Sequence, residues 1–578
     1  MDQIMNEVGY GFTYDQYGAC EQILVARRGL ELLNNNFVNR GTAFTAGERQ
    51  DFGLGGYLPP AVRTIEVQRD DVLARLAKKE TDLDRFVSIR SLFDRNVTLA
   101  HAVIGSDIES FMPVIYTPTV GLACRHYSSM FRRSGGLYFH PGNIDRAVAI
   151  LRSFRHRDIR VAVVTDNQGV LGIGDQGVGG IAISLGKLML YTQGAGIAPW
   201  HCLPVTLDVG TDNEELLADP SYLGLRHHRL KGEEYLAFIG KFAGAFREVF
   251  PHALCQWEDF SRDRAFAVRN SYLHELVSFN DDIQGTGAVA LAGIFAAMRI
   301  RKVALVEQRF VVYGAGAGGV GICEQIARAL EGEGLSSLLA RERIFLFDSR
   351  GLVCEERELP DYKKPFASPG RYVPASNPGD LAGIIAKTGA TVLIGASGQR
   401  GAFDRAVIRA MLDNCPRPLI MPLSNPGDRA EATPAEIMAM SQGAALVATG
   451  SPFGPVNGVR VGQGNNVFIF PGVGLGVIGS GAREVLPEFF TVSARVLAEF
   501  VSESDLEKGI LYPPVGELSR ISLAVSIAVG EEAIRRKVAG TCPFSVMDHE
   551  RDPGRLEEII DRMRWSPRYL PLIQMAGC

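Results

Sequence analysis

Apolar residues recur at helical spacing over the first quarter of the chain, as in Leu83, Phe86, Ile89, Leu92 and Phe93, and predict helices there. Thr45-Ala46-Gly47-Glu48 reads as a helix start, and Pro59-Pro60 opens another before Thr64-Ile65-Glu66-Val67. A mainly α first domain is therefore expected. Within it, the run Met112 to Gly121 (MPVIYTPTVG) reads as a β-like stretch closed by proline and glycine, with Tyr116 at its end. Residues 1 to 45 are polar, aromatic and Asn-rich, and read as an arm laid on a neighbouring subunit rather than as core.

After Arg160 the pattern changes to short, wholly apolar runs, the mark of parallel strands buried on both faces. Val161 to Asp166 is a predicted strand. Gly169 to Gly180 is a loop stripped of side chains, Ile181 to Tyr191 a helix carrying Lys187 among apolar neighbours, and Leu203 to Gly210 a further strand. Later, the strand Arg309 to Tyr313 runs into Gly314-Ala315-Gly316-Ala317-Gly318-Gly319 and the helix Val320 to Leu330. This strand, GxGxxG turn and helix would let a pyrophosphate approach the backbone at a helix N-terminus. A second strand ends at Asp348, placed to accept from a ribose hydroxyl, with an insertion around residues 331 to 341. Three more strand-then-loop units follow, ending near Ser397, Asn425 and Thr449, which favours a dinucleotide site. Asp348 points to NAD, whereas Arg350, Lys363 and Lys364 leave NADP open.

At 578 residues the chain exceeds one core, and 46% hydrophobic with 22% charged residues is an ordinary globular composition. A formal net charge of −5 gives no broad basic field, which disfavours nucleic acid. Nine cysteines without CxxC spacing suit reduced thiols in a cytoplasm. The N-terminus lacks the basic and apolar regions of a signal peptide, and the apolar run from Gly287 stops at Arg299, short of a membrane span. A cytoplasmic protein with no membrane or nucleic-acid partner is expected.

Two acidic runs carry the candidate chemistry: Trp257-Glu258-Asp259-Phe260, and Phe279-Asn280-Asp281-Asp282-Ile283-Gln284-Gly285. Glu258, Asp259 and one of the second pair would suit Mg²⁺ or Mn²⁺, which take oxygen ligands, and the flanking Phe and Trp suggest a lined pocket. The bland alternative is a solvated acidic helix. Tyr116 reads either as an acting phenol or as a satisfied core residue. Lys187 reads as a base whose pKa desolvation lowers, or as a side chain snorkelling to the surface. Asn465 and Asn466 read as ligand contacts or as a capped turn.

Together these stretches resemble the malic enzyme family, including its malolactic branch. The matching runs are MPVIYTPTVG, VLGIGDQGVGG, GKLMLYT, LDVGTDN, WEDF, FNDDIQGTG, GAGAGG, PLSNP, ALVATGSPF and QGNNVFIFPGVGLGVI, over about residues 30 to 540. The resemblance implies a metal on Glu258, Asp259 and Asp282, with Asp281 hydrogen-bonded nearby. It implies Lys187 as base, Tyr116 as acid, and Asn425 with Asn465 or Asn466 against substrate or nicotinamide. Gly314, Gly316, Gly319, Asp348, Ser397 and Asn425 would hold NAD or NADP. The implied reaction is oxidative decarboxylation of (S)-malate to pyruvate with Mn²⁺ or Mg²⁺. Alternatives are a malolactic enzyme that forms lactate with bound NAD, and a non-catalytic malate or dinucleotide sensor.

One departure bears on that choice. Gly169 stands where the family loop carries an arginine that would clamp a malate carboxylate. The expected fold class is α/β. A doubly wound parallel-sheet dinucleotide domain (281–465) is inserted in an α/β substrate and metal domain (135–280 and 466–542). Before it comes an α-rich N-terminal domain (1–134), and after it a C-terminal extension (543–578). A homo-oligomer, dimer or tetramer, is expected.

Overall fold

Two parallel sheets, each flanked by helices, set the positions from which side chains reach a shared cavity. The computed structural model describes residues 8–154, 158–170, 172–372, 379–542, 544 and 554–575. The N-terminal segment is no loose arm. β1 (Tyr10–Tyr14) and β2 (Cys20–Val25) form a hairpin, and Leu572–Gln574 adds a third strand parallel to β2. Tyr10, Ile23, Val25, Leu32 and Phe44 are buried with Trp200 and Leu570 in a core of their own. The aromatic residues that gave the stretch its arm-like look are spent inside this chain.

The predicted helices form between about residues 46 and 130. Thr45 and Glu48 make a reciprocal capping box, and Thr64 caps α1 (Ile65–Leu76) by accepting from Val67 N. α2 (Asp82–Phe93) and α3 (Val97–Gly105) follow, capped by Thr81 and Asn96. The β-like run is a correction: Met112 to Ile115 belongs to α4 (Ile108–Ile115), and Thr119–Arg125 forms α5. The helix starts upstream of that run, where Asp107 accepts from Ser110 N, and Ile108, Phe111, Met112 and Ile115 keep helical spacing. β-branched residues and prolines at the end of the helix imitate a strand.

β3 (Leu137–Phe139), β4 (Val161–Thr165), β5 (Cys202–Leu207), β6 (Leu254–Glu258) and β7 (Ser278–Asn280) form a wholly parallel sheet in the order β3-β5-β4-β6-β7. α6 (Ile181–Leu190) crosses from β4 to β5. α7 (Thr286–Arg301) leaves β7 through a five-residue turn, Asp281–Gly285. The segment Asp281–Arg301 is long and apolar enough to cross a membrane, but 78% of its apolar window is buried inside the protein. It is spent on core packing.

The second sheet holds β8 (Phe310–Tyr313), β9 (Ile344–Asp348), β10 (Gly351–Leu352), β11 (Val392–Gly395), β12 (Leu419–Pro422), β13 (Leu446–Thr449) and β14 (Gly462–Gln463). Their order is β10-β9-β8-β11-β12-β13-β14, parallel except for β10. The helix after β8 spans Ala317–Gly332, and the expected insertion before β9 holds a short helix, Ser337–Arg341. The chain reverses direction across the sheet between β8 and β11, which opens a crevice at the carboxyl ends of those strands.

Candidate active site and metal centre

The four carboxylates come from two adjacent strand ends. Trp257 is the partner of Asn280 in the β6–β7 register, so Glu258 and Asp259 leave β6 beside the point where Asp281 and Asp282 leave β7. They do not lie on a solvated helix. Glu258 and Asp281 are fully buried, and Asp259 bends away with φ +57°. Its amide donates to Asp282 Oδ2 at 2.8 Å. One ligand oxygen each from Glu258, Asp259 and Asp282 lies within 4.8 Å of the others. The flanking aromatics serve the core: Trp257 is fully buried and packs edge-on against Phe260. Gly285 makes the tight turn possible, since a Cβ there would collide with Asp281 Oδ1.

Charge in this corner is crowded. Burial pushes the Glu258 carboxyl up to about 8; Lys187 pulls it down and Asp282 and Asp281 add to the rise. Burial likewise raises Asp282 to about 6, again with Lys187 opposing and Asp281 assisting. Oxygen donors that repel one another in a buried corner fit a hard divalent cation, whose charge removes the repulsion.

Lys187 projects from α6 and is 1% exposed, so it does not snorkel. Its Nζ pairs with Asp281 Oδ2 and lies 3.0 Å from Glu258 Oε1. Without a cation at these carboxylates, the expected depression of its pKa is reversed. Burial alone would lower it, but Asp281 and Glu258 outweigh burial and hold the ammonium well above the lysine range. Asp281 is fixed in turn by Asn466 Nδ2, which donates to it at 3.1 Å and to Thr286 Oγ1 at 3.1 Å. Tyr116 ends α4, and Lys187 Nζ lies 5.4 Å from its ring centre and 4.5 Å from that of Phe470. Burial, opposed by Lys187 and reinforced by the carboxylates, raises the phenol pKa and keeps it protonated.

A cavity of about 540 Å³ joins the two sheets. Tyr116, Lys187, Glu258, Asp259 and Asp282 line it from one side of the chain's folding; Ser397, Asn425, Asn465 and Asn466 bring in loops that follow the second sheet's strands. Asp281 stands behind Lys187. Gly314, Gly316, Gly319 and Asp348 are not on its wall. Asn425 accepts from Ser451 Oγ at 2.5 Å, and Asn465 caps the turn at Val467 with its oxygen at 3.0 Å. The capped-turn alternative therefore describes Asn465 in part, while Asn466 is tied to Asp281.

At the glycine turn, Gly314 has φ +125°, and a Cβ on Gly319 would collide with Gly314 O. Asp348 Oδ2 accepts from Arg357 Nη2 at 2.6 Å and Lys363 Nζ at 2.9 Å, and Oδ1 accepts from Arg350 N at 2.9 Å. Burial opposes ionisation of Asp348, but these donors win and lower its pKa. Lys364 pairs instead with exposed Asp361.

Glu431 escaped sequence reasoning. It is fully buried, and its Oε1 accepts from Ser397 N at 2.8 Å, Ser397 Oγ at 2.7 Å and Ser424 Oγ at 2.5 Å. One carboxylate thus ties together the loops after β11 and β12. The available signal was an acid set between Ala430 and Ala432 in the loop that follows β12.

Comparison with known proteins places the chain in a family. Residues 93–273 match the family model of the malic enzyme N-terminal domain, and residues 283–534 that of the malic enzyme NAD-binding domain. The NAD-dependent malic enzyme of Pseudomonas savastanoi pv. phaseolicola is 42% identical over 557 residues, covering 95% of this chain and 97% of its own. The chain belongs to the malic enzyme family. NAD-dependent malic enzyme 2 of Photobacterium profundum is 40% identical over 550 residues, 94% of this chain and 96% of its own. The fold is that of the malic enzyme of Entamoeba histolytica (TM-score 0.54, 23% identity, 79% of this chain and 81% of that one). The malic enzyme of Pyrococcus horikoshii is similar (TM-score 0.50, 20% identity, 78% and 88%). The α/β class and the family resemblance are thus upheld for this malic enzyme family member.

Proposed function

We propose that the chain oxidatively decarboxylates (S)-malate to pyruvate and CO₂ with NAD and Mn²⁺ or Mg²⁺. The observation that carries this reading is the meeting of Glu258, Asp259, Asp282, Lys187 and Tyr116 in one cavity with the loops of the dinucleotide sheet. Glu258, Asp259 and Asp282 would hold the cation. It supplies Lewis acidity toward the C2 oxygen of malate and takes up negative field that otherwise keeps Lys187 protonated. NAD supplies the acceptor for the C2 hydride.

Lys187 removes the hydroxyl proton, and Asp281, itself held by Asn466, keeps the resulting ammonium in place. Oxidation at C2 makes a β-keto acid, from which CO₂ leaves C3. Tyr116, kept protonated by its burial, returns a proton to C3. Asn425 and Asn465 orient substrate or nicotinamide. NAD is preferred over NADP, because Lys363 and Arg357 are already engaged by Asp348 and Asp348 retains acceptor capacity for ribose hydroxyls. The relatives' names do not favour malolactic chemistry or a sensor. We place the protein in the cytoplasm as a dimer or tetramer, and light scattering on purified protein would check the oligomer.

The test is product identification with malate, Mn²⁺ and each dinucleotide. Pyruvate formed with equimolar NADH supports the reading. Lactate formed without net NADH overturns it.

A further inference from the structure

The charge around the proposed substrate does not balance. Glu258, Asp259, Asp281 and Asp282 bring four negative charges and Lys187 one positive. A divalent cation brings the sum to about minus one, a malate dianion to about minus three, and the positive nicotinamide ring of NAD back to about minus two, a costly total in a partly closed cavity. A further cation facing the substrate would offset part of it.

It cannot come from position 169. Gly169 lines the cavity, and its amide donates to Asp259 O at 2.6 Å. A Cβ there would lie 2.7 Å from Phe260 O and 3.2 Å from the Asp259 carbonyl. Both obstacles are backbone that carries a metal-centre residue, so no side chain fits without moving the centre itself.

Among the described residues lining the cavity the one cationic side chain besides Lys187 is the guanidinium of Arg429, four positions after Asn425. Its backbone is fixed: Arg429 N donates to Pro426 O at 2.8 Å, closing the short turn Gly427–Arg429. Its side chain is exposed and makes no hydrogen bond or ion pair with the described residues. A planar fork of donors, tethered at its base and unspent at its tip, matches a carboxylate. We propose that Arg429 is a specificity residue that takes a carboxylate of the dicarboxylate substrate, replacing a cation that Gly169 cannot supply. This rests on the malate reading above.

Steady-state kinetics of Arg429→Gln and Arg429→Lys, with tartronate and glycolate as competitive probes, test it. The Gln variant should raise KM for malate roughly 10- to 100-fold, leave KM for NAD within about twofold and leave the melting temperature unchanged; the Lys variant should recover part of the loss. The preference for tartronate, with two carboxylates, over glycolate, with one, should collapse in the Gln variant. An unchanged KM for malate, or a rise in KM for NAD instead, would overturn the inference. If wild-type protein makes no pyruvate from malate, the activity reading falls by itself, and the tartronate-to-glycolate ratio of binding constants still decides the role of Arg429.

Discussion

At the carboxyl edge of the five-stranded sheet, four carboxylates and one ammonium are packed into a buried corner. At the same edge of the seven-stranded sheet, the loops are built from glycine, serine and asparagine, and the buried acid Glu431 is spent on tying two of them together. Both edges are carboxyl ends of parallel strands. The first works with charge, where removal of one group leaves others uncompensated. The second works with close backbone approach and hydrogen-bond geometry, where single losses are graded.

That contrast is broken most sharply at Lys187. Lys187→Ala should lower kcat by about 10²- to 10⁴-fold and destabilise the fold by about 3–5 kcal/mol, because Asp281 and Glu258 lose their buried counter-cation. Rates with malate and thermal melts check both, and a variant with unchanged melting and kcat within tenfold would erase the distinction between the edges. At the other edge, Glu431→Gln keeps the shape and removes the charge. It should raise KM for NAD by about 5- to 10-fold while changing KM for malate little; equal rises in both would mean that Glu431 acts on the whole cavity.

A smaller effect concerns protons. Without a cation, Glu258 and Asp282 have carboxyls raised to about 8 and about 6, so they bind protons that the unfolded chain has released. Their raised values withdraw stability as pH climbs from the ordinary carboxylate range toward 8, and a bound cation restores it. Mn²⁺ binding at pH 7 should therefore release about one proton, nearly all from Glu258, and tighten as pH rises from 6 to 8. Calorimetry in two buffers of different ionisation enthalpy measures the release, and a value near zero would show the carboxylates already ionised.

The second edge was the more legible in sequence. Its strand, GxGxxG turn and helix follow from local sterics, visible at Gly314 and Gly319, and the strands ending near Asp348, Ser397, Asn425 and Thr449 appear where expected. The acidic corner was legible as residue types but not as environments. The high pKa of Lys187 depends on Asp281 and Glu258, 94 and 71 positions away along the chain, and no local window shows that sum. The run that ends at Tyr116 imitates a strand because the helix it closes begins upstream, at Asp107. Glu431 and Arg429 sit in one loop whose meaning comes only from what folds against it.

The separation of the two edges is tested most directly by titrating Mn²⁺ and NAD, each by calorimetry, into wild-type protein and Asp282→Asn. One Mn²⁺ per chain in the wild type, none measurable in the variant, and NAD affinities within about threefold of each other are the predicted outcome. Retained Mn²⁺ binding in a folded Asp282→Asn protein, or loss of NAD binding together with the metal, would contradict it.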